Sequence, residues 1–265
     1  MSREVRLQML RPAQAVAERD RVPLAILPLG PLEWHGPHLP LGTDPLDAEA
    51  VALGVAREVV GVVLPTLYIG TERERSPQML ESIGFAPQDY VVGMDFPANI
   101  MPSYYYPEEV LAIVIRATLD LLRRQGYKLV ILMNGHGAEN QLRTLERLAF
   151  EYSHATEMQV RLMVPVPGFM TKPWSLGHAS EGETSLMMAI VPDFVDLSTL
   201  PTEGPLKNVN HAIVDDQTFR GNPTPDFTVR DEEDPRHATV ESGKERMAEC
   251  ITDLSATVRE LLAGL

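Results

Sequence analysis

The chain has 265 residues, 44% of them hydrophobic, enough to bury the core of one large domain or two small ones. Its formal net charge of −14 argues against a nucleic-acid or anionic-membrane surface, since both are bound through clustered Lys and Arg. The single cysteine, Cys250, excludes an internal disulfide and a Cys-rich zinc site, and fits a cytoplasmic setting.

The N-terminal stretch MSREVRLQMLRPAQAVAERDR is charged throughout and lacks the apolar core of a signal peptide. No apolar run approaches the roughly 20 residues of a membrane span. Residues 22–30, VPLAILPLG, predict a buried strand. The loop GPLEWHGPHLPLGTD (30–44) follows, and then a helix over 44–60 with Thr43 or Asp44 as its cap and Pro45 in its first turn. Residues 61–70 predict a second strand. Residues 71–106 show no clear period. They hold TERERS, expected as a solvated charge run, and tyrosines at 104–106 expected to pack in a core or an interface. A helix is clear over 107–126: Pro107 first, Glu108 and Glu109 next, Arg123 and Arg124 last, Gly126 after. A strand over 127–135, a helix over 138–155, a strand over 158–166 and a short helix over 181–192 follow. Residues 197–240 are rich in Pro and charge and read as a surface excursion. A helix is expected over 242–265.

Strands alternating with helices imply right-handed crossovers and a mostly parallel sheet. No linker divides the chain, so residues 1–265 are expected to form one α/β domain. Three polar clusters follow predicted strands: the 30–44 loop, NGHGAEN (134–140) and HASEGETS (178–185). Ligands of open α/β sheets bind at the carboxyl ends of strands, so the clusters are expected at one edge. Glu33 and His35 are two residues apart and share a face if extended. With Asp44 and His136 they form a nitrogen and oxygen donor set suited to Zn, Mn or Fe. His38 is expected to orient Glu33 or Asp44. Ser180 and Glu183 have the spacing of a capping box. His154, His211 and His237 are expected to be structural. No Gly-x-Gly-x-x-Gly or Lys-containing phosphate loop follows a predicted strand, which argues against a nucleotide-binding domain.

These motifs resemble the creatininase (creatinine amidohydrolase) family. Gly30 to Asp44 is similar to its Gly-x-x-Glu-x-His-Gly-Pro-His-Leu-Pro-x-x-Thr-Asp stretch. Asn134, Gly135 and His136 match its Asn-Gly-His strand end, and His178, Ala179, Glu183, Thr184 and Ser185 match its His-Ala…Glu-Thr-Ser segment. DPRHATVESG (234–243) is similar to a later Ala-Thr…Gly stretch. The resemblance implies a three-layer α/β/α domain around a mostly parallel sheet, two divalent metal ions (Zn first, Mn or Fe otherwise), and a homo-oligomer, often a hexamer. It makes Glu33 and His136 ligands of one ion, His35 a ligand of the other and Asp44 the bridge. Glu139 matches a further ligand if one residue is inserted. His178 matches an acid/base at the substrate, with Glu183 orienting it or a water, and Trp174 matches an aromatic that covers creatinine. The family's type enzyme has Tyr where this chain has Gly137, Asp where it has Ser175, and Phe-Pro-Gly-Thr where it has FPAN (96–99). A substrate other than creatinine is therefore expected.

The reading that follows is a hydrolase acting on a small polar cyclic or formylated amide through a metal-bound hydroxide. One alternative with the same two ions is hydrolytic carbon–carbon ring opening of a cyclic dioxo-polyol. Another is a non-catalytic metal-binding assembly protein. No nucleic-acid or membrane partner is expected.

Overall fold

A strand with helices on both faces is buried at every position, and Leu24–Gly30 (β1) shows that pattern. The computed structural model describes residues 3–82, 85–96, 99–168, 177–204, 206, 208–209, 212–213 and 231–265. In it β1 pairs in parallel on both sides. On one side lie Val62–Val63 (β2) and Leu67–Tyr68 (β3), with Ala25 opposite Val62 and Leu29 opposite Leu67. The strand expected over 61–70 is thus one edge in two pieces. It breaks around Pro65, which has no N–H to give to the ladder. On the other side lies Leu129–Asn134 (β4), followed at the far edge by Gln159–Met163 (β5).

The helices are Pro12–Arg21 (α1), Thr43–Val59 (α2), Pro77–Ser82 (α3), Glu108–Arg124 (α4), Glu139–Ala155 (α5), Glu181–Ile190 (α6) and Val240–Ala263 (α7). Alternate strand side chains leave the sheet on opposite faces. Leu27, Leu29, Val130 and Leu132 meet Leu111, Ile115 and Leu119 of α4 and Leu145 and Leu148 of α5. Leu24, Ile26, Ile131 and Met133 meet Val51 and Val55 of α2 and Leu254 and Val258 of α7. The result is the expected three-layer α/β/α arrangement around a parallel sheet.

Several expectations change in detail. Gly42, not Thr43 or Asp44, stands at the cap of α2, and Thr43 Oγ1 donates to Pro40 O at 2.8 Å from inside the first turn. Helices α1 and α3 form where no element was expected. In TERERS, Arg73 and Glu74 are exposed, but Glu72 and Arg75 are half-buried and the Arg75 guanidinium lies 5.5 Å from the centre of the Phe96 ring. Much of the 197–240 excursion, including His211, lies outside the described residues. Among the described residues no helix is long and apolar enough to cross a membrane.

Candidate metal centre

The loops after β1 and β4 open at the carboxyl edge of the sheet, and the N-termini of α2 and α6 face them. The 30–44 loop folds back on itself, with Glu33 N donating to Leu41 O at 2.9 Å. After β4, Asn134 fixes the next turn: its Nδ2 donates to His136 O at 2.5 Å, and its Oδ1 accepts from Gln141 Nε2 at 2.6 Å. Gly135 lies against α2 so closely that a Cβ there would sit 2.0 Å from the Asp44 carbonyl oxygen. Only glycine permits that approach, which brings His136 to Asp44.

Asp44 is the centre of the constellation. Its Oδ1 lies 3.1 Å from His35 Nε2 and its Oδ2 lies 2.9 Å from His136 Nδ1. Glu33 Oε2 lies 3.3 Å from His136 Nδ1, 3.8 Å from His35 Nε2 and 3.8 Å from His178 Nδ1. Glu183 Oε2 lies 3.8 Å from His35 Nε2. Glu33, His35, Asp44 and His136 are all at most 4% exposed. The donor atoms fall into overlapping groups that could each hold an ion: Glu33, Asp44 and His136; His35, Asp44 and Glu183; and Glu33, His35 and His178. The first two share only Asp44.

The charges in this pocket are mutually dependent. Burial opposes ionisation of Glu33, but His136, His178 and His35 outweigh it and hold the carboxyl well below the usual carboxylate range. Burial also disfavours a proton on His35, yet Asp44, Glu183 and Glu33 raise it to about 10. His136 is raised well above its ordinary value in the same way, burial being outweighed by Glu33 and Asp44. Burial, and then the charge on His35, push His178 down to about 4. Burial pushes Glu183 up to about 7, with Asp44 adding to it and His35 opposing.

The donor set fits divalent ions. Among the described residues no Lys or Arg forms an ion pair with Glu33, Asp44 or Glu183, and the groups in direct contact with these carboxylates that can carry positive charge are imidazoles. A cation would supply that charge and release the protons. His35 is also set as a ligand. Its Nδ1 faces the Glu33 carbonyl at 3.1 Å, and a carbonyl only accepts, so Nδ1 keeps its hydrogen and Nε2, once its proton is released, is the nitrogen left to bind an ion. One nitrogen of His136, Nε2, is buried without a partner among the described residues.

Other residues land elsewhere. The proposed ligand Glu139 is not brought to the cluster: its side chain is 71% exposed and pairs with Arg143 one turn on. Glu139 stands on the outside of α5, and it is Glu183 that stands beside His35 and Asp44. His38 does not orient Glu33 or Asp44; its Nε2 lies 2.9 Å from Thr184 Oγ1. The Ser180–Glu183 capping box does not form, because the Glu183 carboxylate accepts from Ala179 N at 2.5 Å. Gly137 is exposed next to His136, while Trp174 and Ser175 lie outside the described residues. His178 is in the pocket, and Ala179 beside it takes a φ of 54°, a left-handed conformation that costs a non-glycine residue energy.

Sequence reasoning missed Tyr105, whose hydroxyl donates to Glu33 Oε1. Burial and the Glu33 charge raise its pKa well above the ordinary value, so it stays a donor. The signal lay in an extended segment: Tyr104 and Tyr106 are exposed and Tyr105 between them turns inward.

The family model described as creatinine amidohydrolase matches residues 9–258. The creatinine amidohydrolase of Pseudomonas putida is 27% identical over 198 residues, 68% of this chain and 69% of that protein. The mycofactocin precursor peptide peptidase of Mycolicibacterium smegmatis is 26% identical over 174 residues, 66% of this chain but only 60% of the relative. Three solved creatininase structures, one a mutant of Zn–Zn type and one the Mn form, each give a TM-score of 0.70 at 21–22% identity, covering 98% of this chain and 99% of each of theirs.

Proposed function

Because the chain belongs to the creatininase family, we propose that it is a metal-dependent hydrolase of a small polar amide, cyclic or formylated, working with two divalent ions. Zn is the first choice and Mn or Fe the others. The observation that carries this reading is Asp44, each oxygen of which faces a different imidazole. Glu33 and His136 would hold one ion with it, and His35 and Glu183 the other. Such ions, when bound, acidify water and polarise a carbonyl.

The remaining steps belong to the chain's own groups. His178 Nε2 donates to the Trp34 carbonyl at 2.6 Å, so in the neutral ring Nδ1 is the free base. That atom faces the pocket beside Glu33, where it can take a proton and return it to a departing nitrogen. With its pKa near 4, His178 is neutral and able to accept at physiological pH. Buried walls around Glu33, Asp44 and His136 strengthen each electrostatic contact made inside.

The Asp44→Asn protein tests the reading. Loss of metal, with more than about a 100-fold fall in kcat/KM and an unchanged circular dichroism spectrum, is expected, a larger effect than changing a residue behind a ligand gives. Unchanged turnover would overturn it. A panel of amides and hydroxylated cyclic diketones separates the substrate classes: amine or ammonia release supports the amide, a new carboxylate alone supports ring opening. Tight metal binding without turnover of either supports an assembly role.

A further inference from the structure

The two oxygens of Glu33 face different surroundings. Oε2 faces the imidazoles of His136, His35 and His178. Oε1 accepts from the Tyr105 hydroxyl. Tyr105 is held in place by contacts that do not involve Glu33. Its backbone forms a parallel bridge to Gly70, Tyr106 N donates to Gly70 O at 2.8 Å, and Tyr104 N donates to Leu32 O at 2.7 Å. The phenol oxygen also accepts from Met94 N at 3.2 Å. Gly93 makes room for the ring: its φ is +54°, and a Cβ there would lie 2.8 Å from the phenol oxygen. A phenol has one proton, and here it is committed to Glu33.

We infer that Tyr105 is a positioning residue of the metal centre, holding Glu33 Oε1 so that Oε2 alone is presented to the ion shared with Asp44 and His136. The inference rests on the two-ion reading above. Tyr105 makes no contact with His35 or Glu183 in any hydrogen bond described, so its effect falls on one ion and not the other. Without the hydroxyl, Glu33 is free to turn, and a partner of this kind is worth about 10–100-fold in metal affinity.

The test is a titration of the metal-free full-length chain with Co²⁺, followed by visible absorption and equilibrium dialysis, for the wild type and Tyr105→Phe. The wild type is expected to bind two equivalents. The variant is expected to bind one with unchanged affinity and the other about 10–100-fold more weakly. Two equivalents of wild-type affinity, or equal weakening of both, would overturn the inference while leaving the two-ion reading intact. A wild type that binds no Co²⁺, Zn²⁺, Mn²⁺ or Fe²⁺ would overturn both. A wild-type measurement covers the case of a variant that fails to fold. Filling the Glu33 position polarises the phenol, so a tyrosine ultraviolet difference band is expected to grow with one equivalent only; its absence would also count against Tyr105.

Discussion

Glu139 and Glu183 both stand in the first turn of a helix, where the dipole favours a carboxylate. Only Glu183 turns inward. Glu139→Gln is therefore expected to leave metal content unchanged and to lower unfolding free energy by only about 0.3–0.5 kcal/mol, the worth of an exposed pair one turn apart; elemental analysis and urea denaturation check both halves. His38 carries a different signature. Burial, and then the charge on His35, push it down to about 4 from an ordinary 6.5. The unfolded chain takes up a proton below pH 6.5 that the native protein refuses until pH 4, so stability falls as pH falls across that window. The cost reaches about 3 kcal/mol at pH 4. The difference in unfolding free energy between the wild type and His38→Gln, followed from pH 7 to 4, isolates this, since the variant keeps the dependence due to His178 but lacks that of His38. The residue types of the centre were legible in the 30–44 loop. Which distant acid would join them was not, because spacing along a chain does not measure distance once the chain folds.

Helix α6 carries Glu183, and α7 fixes α6. Arg246 Nη2 donates to Glu181 Oε2 at 2.7 Å, Ser242 Oγ and Ser185 Oγ donate to Glu181 Oε1 at 3.0 and 2.8 Å, and Thr239 N donates to Ser185 Oγ at 3.1 Å. Arg246→Met is expected to cost about 1.5–3 kcal/mol, the range for a hydrogen bond to a charged group. It should also loosen the ion position that includes Glu183; thermal unfolding and metal stoichiometry check the two effects. The long helices were readable because their signals are local: α4 has acids at its start, arginines at its end and an apolar row at Leu111, Ile115 and Leu119. The segment from 71 to 106 was not. Its described residues are held by contacts with the turns that follow β1 and β3 and with each other, such as Tyr104 N donating to Leu32 O at 2.7 Å and Arg75 N to Val91 O at 2.8 Å, and no period announces these. Tyr105 was missed for the same reason.

At the scale of the molecule, the candidate metal centre joins both hydrophobic layers. Asp44 begins α2 on one face of the sheet, and His136 precedes α5 on the other. An ion bound between them would favour the folded chain by mass action, by about 2.7 kcal/mol at a free concentration 100 times its Kd. Chelation is expected to lower the melting temperature, and re-addition of the ion to restore it. Because His35 is held protonated up to about pH 10 without metal, binding should release protons and tighten as pH rises toward that value. Calorimetry in buffers of different ionisation enthalpy reads that release directly.

The sharing of Asp44 has a consequence in time. The position formed by Glu33, Asp44 and His136 needs only the chain as far as the loop after β4, whereas the one formed by His35, Asp44 and Glu183 waits for α6. Synthesis runs from the N-terminus at about 5–20 residues per second. On the two-ion reading the two positions therefore differ in age: on a ribosome, every residue proposed for one has been made while the other still lacks its last.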